Sequence, residues 1–362
     1  TLINLNKNET ASLAFNQIIS LLQPLYETGA ESSQRLIYLP TKFRLNDRLE
    51  KVLGETNGCK QALMVLGEAL WRSQLILYLP TGKRFLQIVN QLFSDSALQN
   101  LKLGIYSLMS QNAEGLLYLH RAKQLAPDNS AILQALHLGY RNFGNIDIEN
   151  YWLSLAQENH LNQNEDKPEW QWAGLSLDSI QTYIPFEQDL VLAVEPSFKS
   201  IVTSVLLAEG DWFEDEMEFW RSWIKPGMTV IDVGANVGVY TFSAAKRVGK
   251  EGLVLAVEPF SKCVSYLEET CSINQLDWVR ICAGAASDRN GTVKLGLSSA
   301  SEVNEVIDSE VVLDDAGNHI FTRDFEIANC FTLDSLVERE RVSSLDFLKI
   351  DAEGHEIQVL TG

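Results

Sequence analysis

The stretch TVIDVGANVG, residues 229–238, decides the fold of this chain. Its first residues are apolar and β-prone, and they end at Asp232. A turn rich in glycine then leads into a helical pattern over 240–248. A second apolar run, LVLAVEP at 253–259, follows and carries Glu258 near its end. This order of strand, glycine turn, helix and acid-tipped strand is typical of a nucleotide-binding βαβ unit.

Each part of this unit has a physical reason to face a ligand. Glycines let the backbone approach a bound molecule where a Cβ would clash. The first turn of a helix has N–H groups without partners inside the helix, so it offers hydrogen-bond donors. A carboxylate at the tip of the second strand can accept hydrogen bonds from two ribose hydroxyls. We therefore expect Glu258 to hold a ribose.

The turn differs from the dinucleotide fingerprint G-x-G-x-x-G, because Asn236 occupies the position of its second glycine. It resembles the D-x-G-x-N-x-G motif of S-adenosylmethionine (AdoMet) methyltransferases. On that resemblance, AdoMet is the expected cofactor. The alternative is a purely structural glycine turn in some other α/β domain. The predicted cofactor-binding residues in this part of the chain are Asp232, Gly234, Ala235, Asn236, Gly238 and Glu258.

Strand and helix patterns alternate from residue 229 onwards. Such alternation predicts an α/β fold with a doubly wound, Rossmann-like parallel sheet. Further strand patterns at 292–297 and 327–332 and an acidic segment without periodicity at 298–326 interrupt the alternation. The alternating elements are predicted at 229–233 (strand), 240–248 (helix), 253–257 (strand), 261–273 (helix), 279–283 (strand), 333–340 (helix) and 345–350 (strand).

The chain begins with Thr1 and stops about one helix after the last predicted strand. Sheets of this type usually have more strands beyond the fourth. An open central edge also invites aggregation. We therefore expect the natural protein to continue past Gly362, and the domain at 227–362 to be C-terminally incomplete.

Residues 1–165 show apolar residues at helical spacing and predict an all-α domain. Around Ala122 and Pro127 the pattern resembles a tetratricopeptide repeat, which typically provides a protein-binding surface. A polar run at 160–168 marks the predicted domain boundary. Residues 166–226 are predicted as a lead-in to the sheet. Helices are predicted at 11–25, 60–79, 84–93, 97–110, 113–126, 130–142 and 148–159, and the lead-in carries strand patterns at 190–194 and 200–208 and a helix at 211–224.

Charge is unevenly distributed along the chain. Residues 1–165 carry 14 acidic and 14 basic residues, whereas residues 166–362 carry 34 and 15, so the whole net charge of −19 lies in the second part. Nucleic acid is therefore an unfavourable partner, because phosphate binding needs basic surface. No apolar run is long enough to span a bilayer, so we expect no membrane partner. The five cysteines lack metal or disulfide spacing, which favours reduced thiols in a cytoplasmic protein.

From Gly227 to Gly362 the sequence resembles the FkbM-type methyltransferases. The resemblance rests on PGMTVIDVGANVGVYTF (226–242), on GAASDRNGTVKL (284–295) after the acid-tipped strand, and on TLDSLVERERVSSLDFLKIDAEGHEIQVLTG (332–362). It implies AdoMet-dependent methyl transfer, usually to a hydroxyl of a sugar, polyketide or peptide product. The expected acceptor is therefore a small molecule or a glycan.

Further site residues lie near the ends of later strands. Asp288 is predicted to contact the adenine amine, with a turn residue before Asn290-Gly291 as the alternative. Asp351, Glu353 and His355 follow the last strand, and each is a candidate base for the acceptor hydroxyl. An ordinary imidazole titrates near neutral pH, which suits that task. A solvated helix residue is the alternative for His355.

Two other interpretations of the last cluster stay open. Glu356 is also explained as a helix N-terminal residue favoured by the macrodipole. A hard metal ion is a rival occupant of the clustered carboxylates, but side chains from one short segment point in different directions. The sequence therefore predicts no metal site.

Three functions compete at this stage. The leading one is an AdoMet-dependent O-methyltransferase whose helical extension binds a protein partner. The second is an inactive methyltransferase-like scaffold that acts through its helical repeats. The third is an NAD-dependent oxidoreductase, which Asn236 disfavours.

Overall fold

The computed structural model describes residues 95–162, 167–174, 180–212, 214–297, 304–307, 311–313, 319–322 and 324–362. The helices predicted at 11–25, 60–79 and 84–93 lie outside these residues. The chain divides into two compact units, Thr1–Leu136 and His137–Gly362. The predicted boundary at residue 165 stays a prediction.

The described part of the first unit is helical, as predicted. Helix α1 (Ala97–Met109) and helix α2 (Glu114–Leu125) run antiparallel and approach closely at two glycines. A Cβ added to Gly104 would lie 2.6 Å from Leu119 Cδ2, and one added to Gly115 would lie 2.5 Å from the Gly104 carbonyl oxygen. The glycines therefore set the spacing of the pair. Its identity as a tetratricopeptide repeat stays a prediction.

The helix α3 (Ser130–Asn142) spans the division between the units, and α4 (Ile146–Leu161) follows it. A 3-10 helix at Pro168–Gly174 comes next. Within the second unit, Trp172 packs against the ring of His137, with 5.6 Å between the ring centroids. Burial lowers the pKa of His137 to about 4, so this imidazole is a neutral core group.

A hairpin and two helices precede the main sheet. The strands β1 (Thr182–Phe186) and β2 (Leu190–Val194) pair antiparallel, and α5 (Ile201–Glu209) and α6 (Asp215–Trp223) follow them. The prediction of a strand at 200–208 was wrong, because this segment is helix α5. The Ser200 hydroxyl oxygen caps the helix by accepting from the Thr203 N–H, and Gly210 ends it with φ 74°. Seven of its nine residues are buried, so the helix is enclosed on most sides and its sequence shows no amphipathic period.

The first half of the main sheet is formed as predicted. The chain passes through β3 (Thr229–Val233), α7 (Val239–Val248), β4 (Leu253–Glu258), α8 (Ser261–Asn274) and β5 (Val279–Ala283). The three strands pair in parallel, with Ile231 opposite Leu255 and Val257 opposite Cys282. These four side chains belong to one buried core.

A second sheet interrupts the alternation. The strands of this region are β6 (Ala285–Ala286), β7 (Gly291–Gly296), β8 (Glu305–Ile307), β9 (Val311–Leu313), β10 (His319–Thr322) and β11 (Phe325–Phe331). Four of them form a sheet in the order β6-β11-β7-β8, and β9 and β10 pair separately. The strand predictions at 292–297 and 327–332 are therefore confirmed. The acidic segment 298–326, whose sequence shows no periodicity, contains β8, β9, β10 and the start of β11, because its backbone pairs with neighbouring strands.

The last elements return the chain to the main sheet. Helix α9 (Leu333–Arg339) leads to β12 (Phe347–Ile350), and α10 (Glu356–Thr361) follows. The strand β12 pairs in parallel with β3, which gives the sheet order β12-β3-β4-β5. The predicted α/β fold with a parallel, Rossmann-like sheet is confirmed.

The strand order reverses between β3 and β12, since β4 and β5 are added on one side of β3 and β12 on the other. In open α/β sheets, ligands bind beyond the carboxyl ends of the strands at such a switch point. The topology therefore predicts a ligand site at the loops after β3, β4 and β12. Among the described residues, no helix is long and apolar enough to cross a membrane.

Candidate functional site

The loops after β3 and β12 touch through their backbones. Gly234 has φ 77°, and a Cβ added there would lie 1.9 Å from the carbonyl oxygen of Asp351. The N–H of Asp351 donates to the Val233 carbonyl over 3.0 Å. Only glycine satisfies both the left-handed backbone and the close approach. Backbone contacts thus fix the positions of these two loops at the switch point.

The rest of the glycine turn is also held by its backbone. The N–H groups of Gly234 and Ala235 both donate to the Val257 carbonyl, over 3.0 and 3.1 Å. Asn236 has φ 50°, a conformation that asparagine tolerates better than most residues. Gly238 precedes α7 with φ 96°, and a Cβ there would lie 2.2 Å from Phe242 Cε2. The turn is preorganised before any ligand arrives.

Glu258 is the buried acid of this loop, with 6% of its surface exposed. Its Oε2 accepts from the Asn236 N–H and its Oε1 from the Phe260 N–H, each over 2.8 Å. A carboxylate oxygen has two lone pairs, so each oxygen keeps one acceptor site for a ligand. Burial raises the pKa of Glu258 to about 7, although the two N–H groups oppose the shift. Two adjacent acceptor sites match a ribose diol.

Asp232 lies at the end of β3 and is fully buried. Its Oδ2 accepts from the Thr241 hydroxyl over 2.7 Å. Its Oδ1 lies 3.3 Å from Lys349 Nζ, close enough for an ion pair, but receives no hydrogen bond from the described residues. This oxygen is buried, and among the described residues its charge is balanced by Lys349.

Lys349 was not singled out from the sequence. It lies opposite Asp232 in the β12–β3 register, and its Nζ is 3.3 Å from Asp351 Oδ2 and 4.7 Å from the centroid of the Tyr240 ring. Burial disfavours its charge, but Asp232 and Asp351 outweigh that cost and raise the pKa of Lys349. A lysine inside an otherwise apolar strand was the signal in the sequence, because buried lysines need partners.

The loop after β12 carries three more acids. Glu353 is exposed and has φ 45°, an uncommon backbone conformation for glutamate. Partial burial and the carboxylates of Asp351, Glu356 and Glu305 raise its pKa. Glu356 Oε1 instead accepts from the N–H groups of Ala352 and Gly354, over 3.2 and 3.1 Å. These bonds make Glu356 a structural residue of the loop, and it is also the first residue of α10, as its helix-terminal interpretation expected.

His355 and Asp288 meet through a residue that the sequence analysis gave no role. Ser287 is fully buried, and its Oγ lies 3.0 Å from His355 Nε2 and 3.3 Å from Asp288 Oδ1. Asp288 also pairs with the exposed Arg289, over 3.0 Å. The structure thus ties the turn after β6 to the loop after β12.

The predicted residues form two groups. The larger surrounds the ends of β3, β4 and β12, and the smaller joins Asp288 to His355 through Ser287. Within the residues that the structure describes, no set of three or more His, Cys, Asp or Glu is placed to hold a metal ion. The larger group consists of Asp232, Gly234, Ala235, Asn236, Gly238, Glu258, Asp351 and Glu353.

Comparisons with known proteins find similarity to methyltransferases. Residues 232–362 match the family model described as the methyltransferase FkbM domain. Over 48 residues the chain is 42% identical to the ribosomal RNA large subunit methyltransferase E of Buchnera aphidicola subsp. Baizongia pistaciae (strain Bp). That match covers 13% of this chain and 23% of the relative, so the chain spans about a quarter of the relative's length.

Two solved structures also show local likeness. A SAM-dependent methyltransferase from Aquifex aeolicus is 29% identical over 21% of this chain and 40% of its own, with a TM-score of 0.19. Trm5b from Pyrococcus abyssi is 21% identical over 30% of each chain, with a TM-score of 0.24.

Proposed function

We propose that this chain binds AdoMet at the switch point and transfers its methyl group to a hydroxyl oxygen of a small-molecule or glycan acceptor. The observation that carries the proposal is the Glu258 carboxylate. It is buried, it is held by two backbone N–H groups, and it keeps two adjacent acceptor sites beside the glycine turn. The FkbM domain match over 232–362 supports the same activity.

In the proposed complex, the ribose hydroxyls donate to Glu258 and the backbone of 234–238 lies against the cofactor. Asp232 faces the amino-acid end of AdoMet, where its unfilled Oδ1 accepts a hydrogen bond. Asp288 accepts from the adenine amine. It is half-exposed and already pairs with Arg289, so the turn interpretation of Asp288 retains support.

AdoMet would supply its methyl group by in-line displacement: the acceptor oxygen would bond to the methyl carbon while the sulfur–methyl bond breaks, which would release S-adenosylhomocysteine (SAH). The hydroxyl proton would pass to a base of the protein. A base works best when its pKa lies close to the working pH.

Three side chains after β12 are candidates for that base: Asp351, Glu353 and His355. Asp351 is already engaged in an ion pair with Lys349, over 3.3 Å. His355 is engaged by Ser287. Glu353 is exposed, and neighbouring carboxylates raise its pKa. We therefore assign the base to Glu353.

The charge of the second part of the chain supports a small or glycan acceptor. All of the net charge of −19 lies in residues 166–362, which disfavours a polyphosphate acceptor such as RNA. A protein partner at the helical unit stays a prediction.

Calorimetric titration with AdoMet, SAH and NAD tests the cofactor. We expect AdoMet and SAH to bind, NAD not to bind, and Glu258→Ala to weaken AdoMet severely. Glu340→Ala is the matched control, because Glu340 pairs with Arg280 and Arg339 on the surface. A folded protein that binds neither AdoMet nor SAH would refute the proposal and favour the scaffold, whereas NAD binding would favour the oxidoreductase.

A further inference from the structure

The cofactor pocket of the proposed function holds two buried acids, and the partly buried Lys349 lies beside one of them. Asp232 is fully buried and Glu258 is 6% exposed. The ammonium of Lys349 contacts Asp232 over 3.3 Å, and its side chain is only 17% exposed. Burying a charge costs free energy unless the charge is paired, so these acids need a nearby positive charge or hydrogen-bond donors.

The surroundings of Lys349 place anionic or π partners on several sides. Asp232 faces it from β3, and Asp351 faces it from the loop beyond β12. The Tyr240 ring from α7 covers a third side, and the Tyr240 hydroxyl donates to Glu214 over 2.7 Å. Glu258 on β4 and Glu353 also experience the charge of Lys349. Among the described residues, Lys349 forms the only ion pair of Asp232, and no lysine or arginine forms one with Glu258.

We propose that Lys349 is the countercharge of the cofactor pocket, a positioning residue that pairs with the buried Asp232 and favours the charged, hydrogen-bond-accepting form of Glu258. The inference rests on the proposed function, because it is AdoMet that these carboxylates would hold. Lys349 acts through the two acids.

The direction of the effect follows from electrostatics. Asp232 raises the pKa of Glu258 and Lys349 lowers it. Without the ammonium, nothing offsets the repulsion of the Asp232 carboxylate, so Glu258 will keep its proton up to a higher pH. A protonated Glu258 has lost one acceptor site for the ribose diol. SAH will then reach its full affinity only at a higher pH.

The test is calorimetric titration of the full chain with SAH between about pH 6 and pH 9. In the wild type we expect affinity to rise with pH, with a midpoint near the pKa of Glu258. In Lys349→Met the midpoint will move upward, and a shift of one pH unit weakens SAH about fivefold at neutral pH. Lys349→Arg, which keeps the charge, will return the midpoint toward the wild-type value.

The matched control is Lys246→Met, which removes another half-buried lysine of the same unit. Lys246 pairs with Asp189 and with the Glu187 carbonyl at the β1–β2 turn, so its loss will leave the midpoint unchanged. If Lys349→Met does not fold, the same change in an Asp232→Asn background avoids an unpaired buried carboxylate. There the double variant will have a higher midpoint than Asp232→Asn alone, because Glu258 has still lost the nearby ammonium.

The outcomes separate the two claims. Wild-type protein that fails to bind SAH at every pH overturns the proposed function and this inference with it. Wild-type protein that binds SAH, together with a Lys349→Met midpoint equal to the wild-type midpoint, overturns the inference alone. An equal loss of affinity at all pH values also overturns it, because that is the result of a purely structural role.

Discussion

The two sides of the switch point are built differently. On the β3–β4 side, Glu258 is buried and the turn is held by hydrogen bonds between backbone groups or from backbone to Glu258. On the β12 side, Asp351 and Glu353 are exposed and Gly354 has open space around it. The first side is a cradle fixed by backbone bonds, and the second presents exposed side chains. On the proposed function, the difference teaches that the backbone of the first side would hold the cofactor, and the exposed side chains of the second side would contact the acceptor.

The largest effect will come from a methyl group on the rigid side. Gly234→Ala puts a Cβ 1.9 Å from the Asp351 carbonyl oxygen in a left-handed backbone. We expect it to lower the free energy of unfolding by about 4 kcal/mol and to abolish SAH binding. Chemical denaturation and calorimetry measure the two effects.

Gly354→Ala is the control on the other side of the site. Gly354 also has a positive φ, 88°, but no atom lies within 4 Å of an added Cβ. Only the backbone penalty applies, so the loss will be about 1–2 kcal/mol, with SAH still bound. Equal losses for the two variants would show that the two sides do not differ in rigidity.

The next effect is a pH dependence of stability that comes from the cradle. The pKa of Glu258 is about 7 in the folded protein and lower in the unfolded chain, so the folded state binds more protons between those values. As the pH rises from about 4.5 to 7, the free energy of unfolding of the ligand-free protein will therefore fall by about 3 kcal/mol. Urea denaturation at several pH values measures it.

Glu258→Gln sharpens this measurement. The amide does not titrate, so residue 258 will no longer contribute to the change of the unfolding free energy with pH. The loss of one acceptor oxygen changes stability by the same amount at every pH, so only the pH dependence is informative. A wild-type slope retained in Glu258→Gln would assign the pH dependence to other groups.

The same contrast explains what the sequence predicted. The Gly-x-Asn turn and the acid at 258 were predictable, because a backbone cradle requires particular residues at fixed spacing. Helix α5 was predicted as a strand because burial on all sides erases the helical period. Lys349 and Ser287 were missed because their roles depend on β3 and on His355, which are distant in sequence.

On the exposed side, Glu353→Gln tests the assigned base. It leaves the cradle intact, so SAH affinity will stay within about twofold of wild type while methyl transfer falls about a hundredfold or more. Transfer of labelled methyl from AdoMet to a panel of sugars and hydroxylated natural products measures it. Glu356→Gln is the neighbouring control, and it will cost stability through its lost loop bonds while transfer continues. Full transfer by Glu353→Gln would move the assignment to Asp351 or His355.

The smallest effect concerns the link between the two groups of site residues. The Ser287 Oγ to His355 Nε2 contact is a single hydrogen bond of 3.0 Å, and Ser287 is buried while His355 is half-buried. Ser287→Ala and His355→Ala will each destabilise the fold modestly, and a double-mutant cycle will give a coupling of about 1 kcal/mol. A hydrogen bond that merely fastens α10 will leave SAH affinity unchanged in both variants. If both variants instead weaken SAH binding by the same factor, the loop after β12 also contributes to cofactor binding. The two sides of the switch point would then differ less in function than they do in burial.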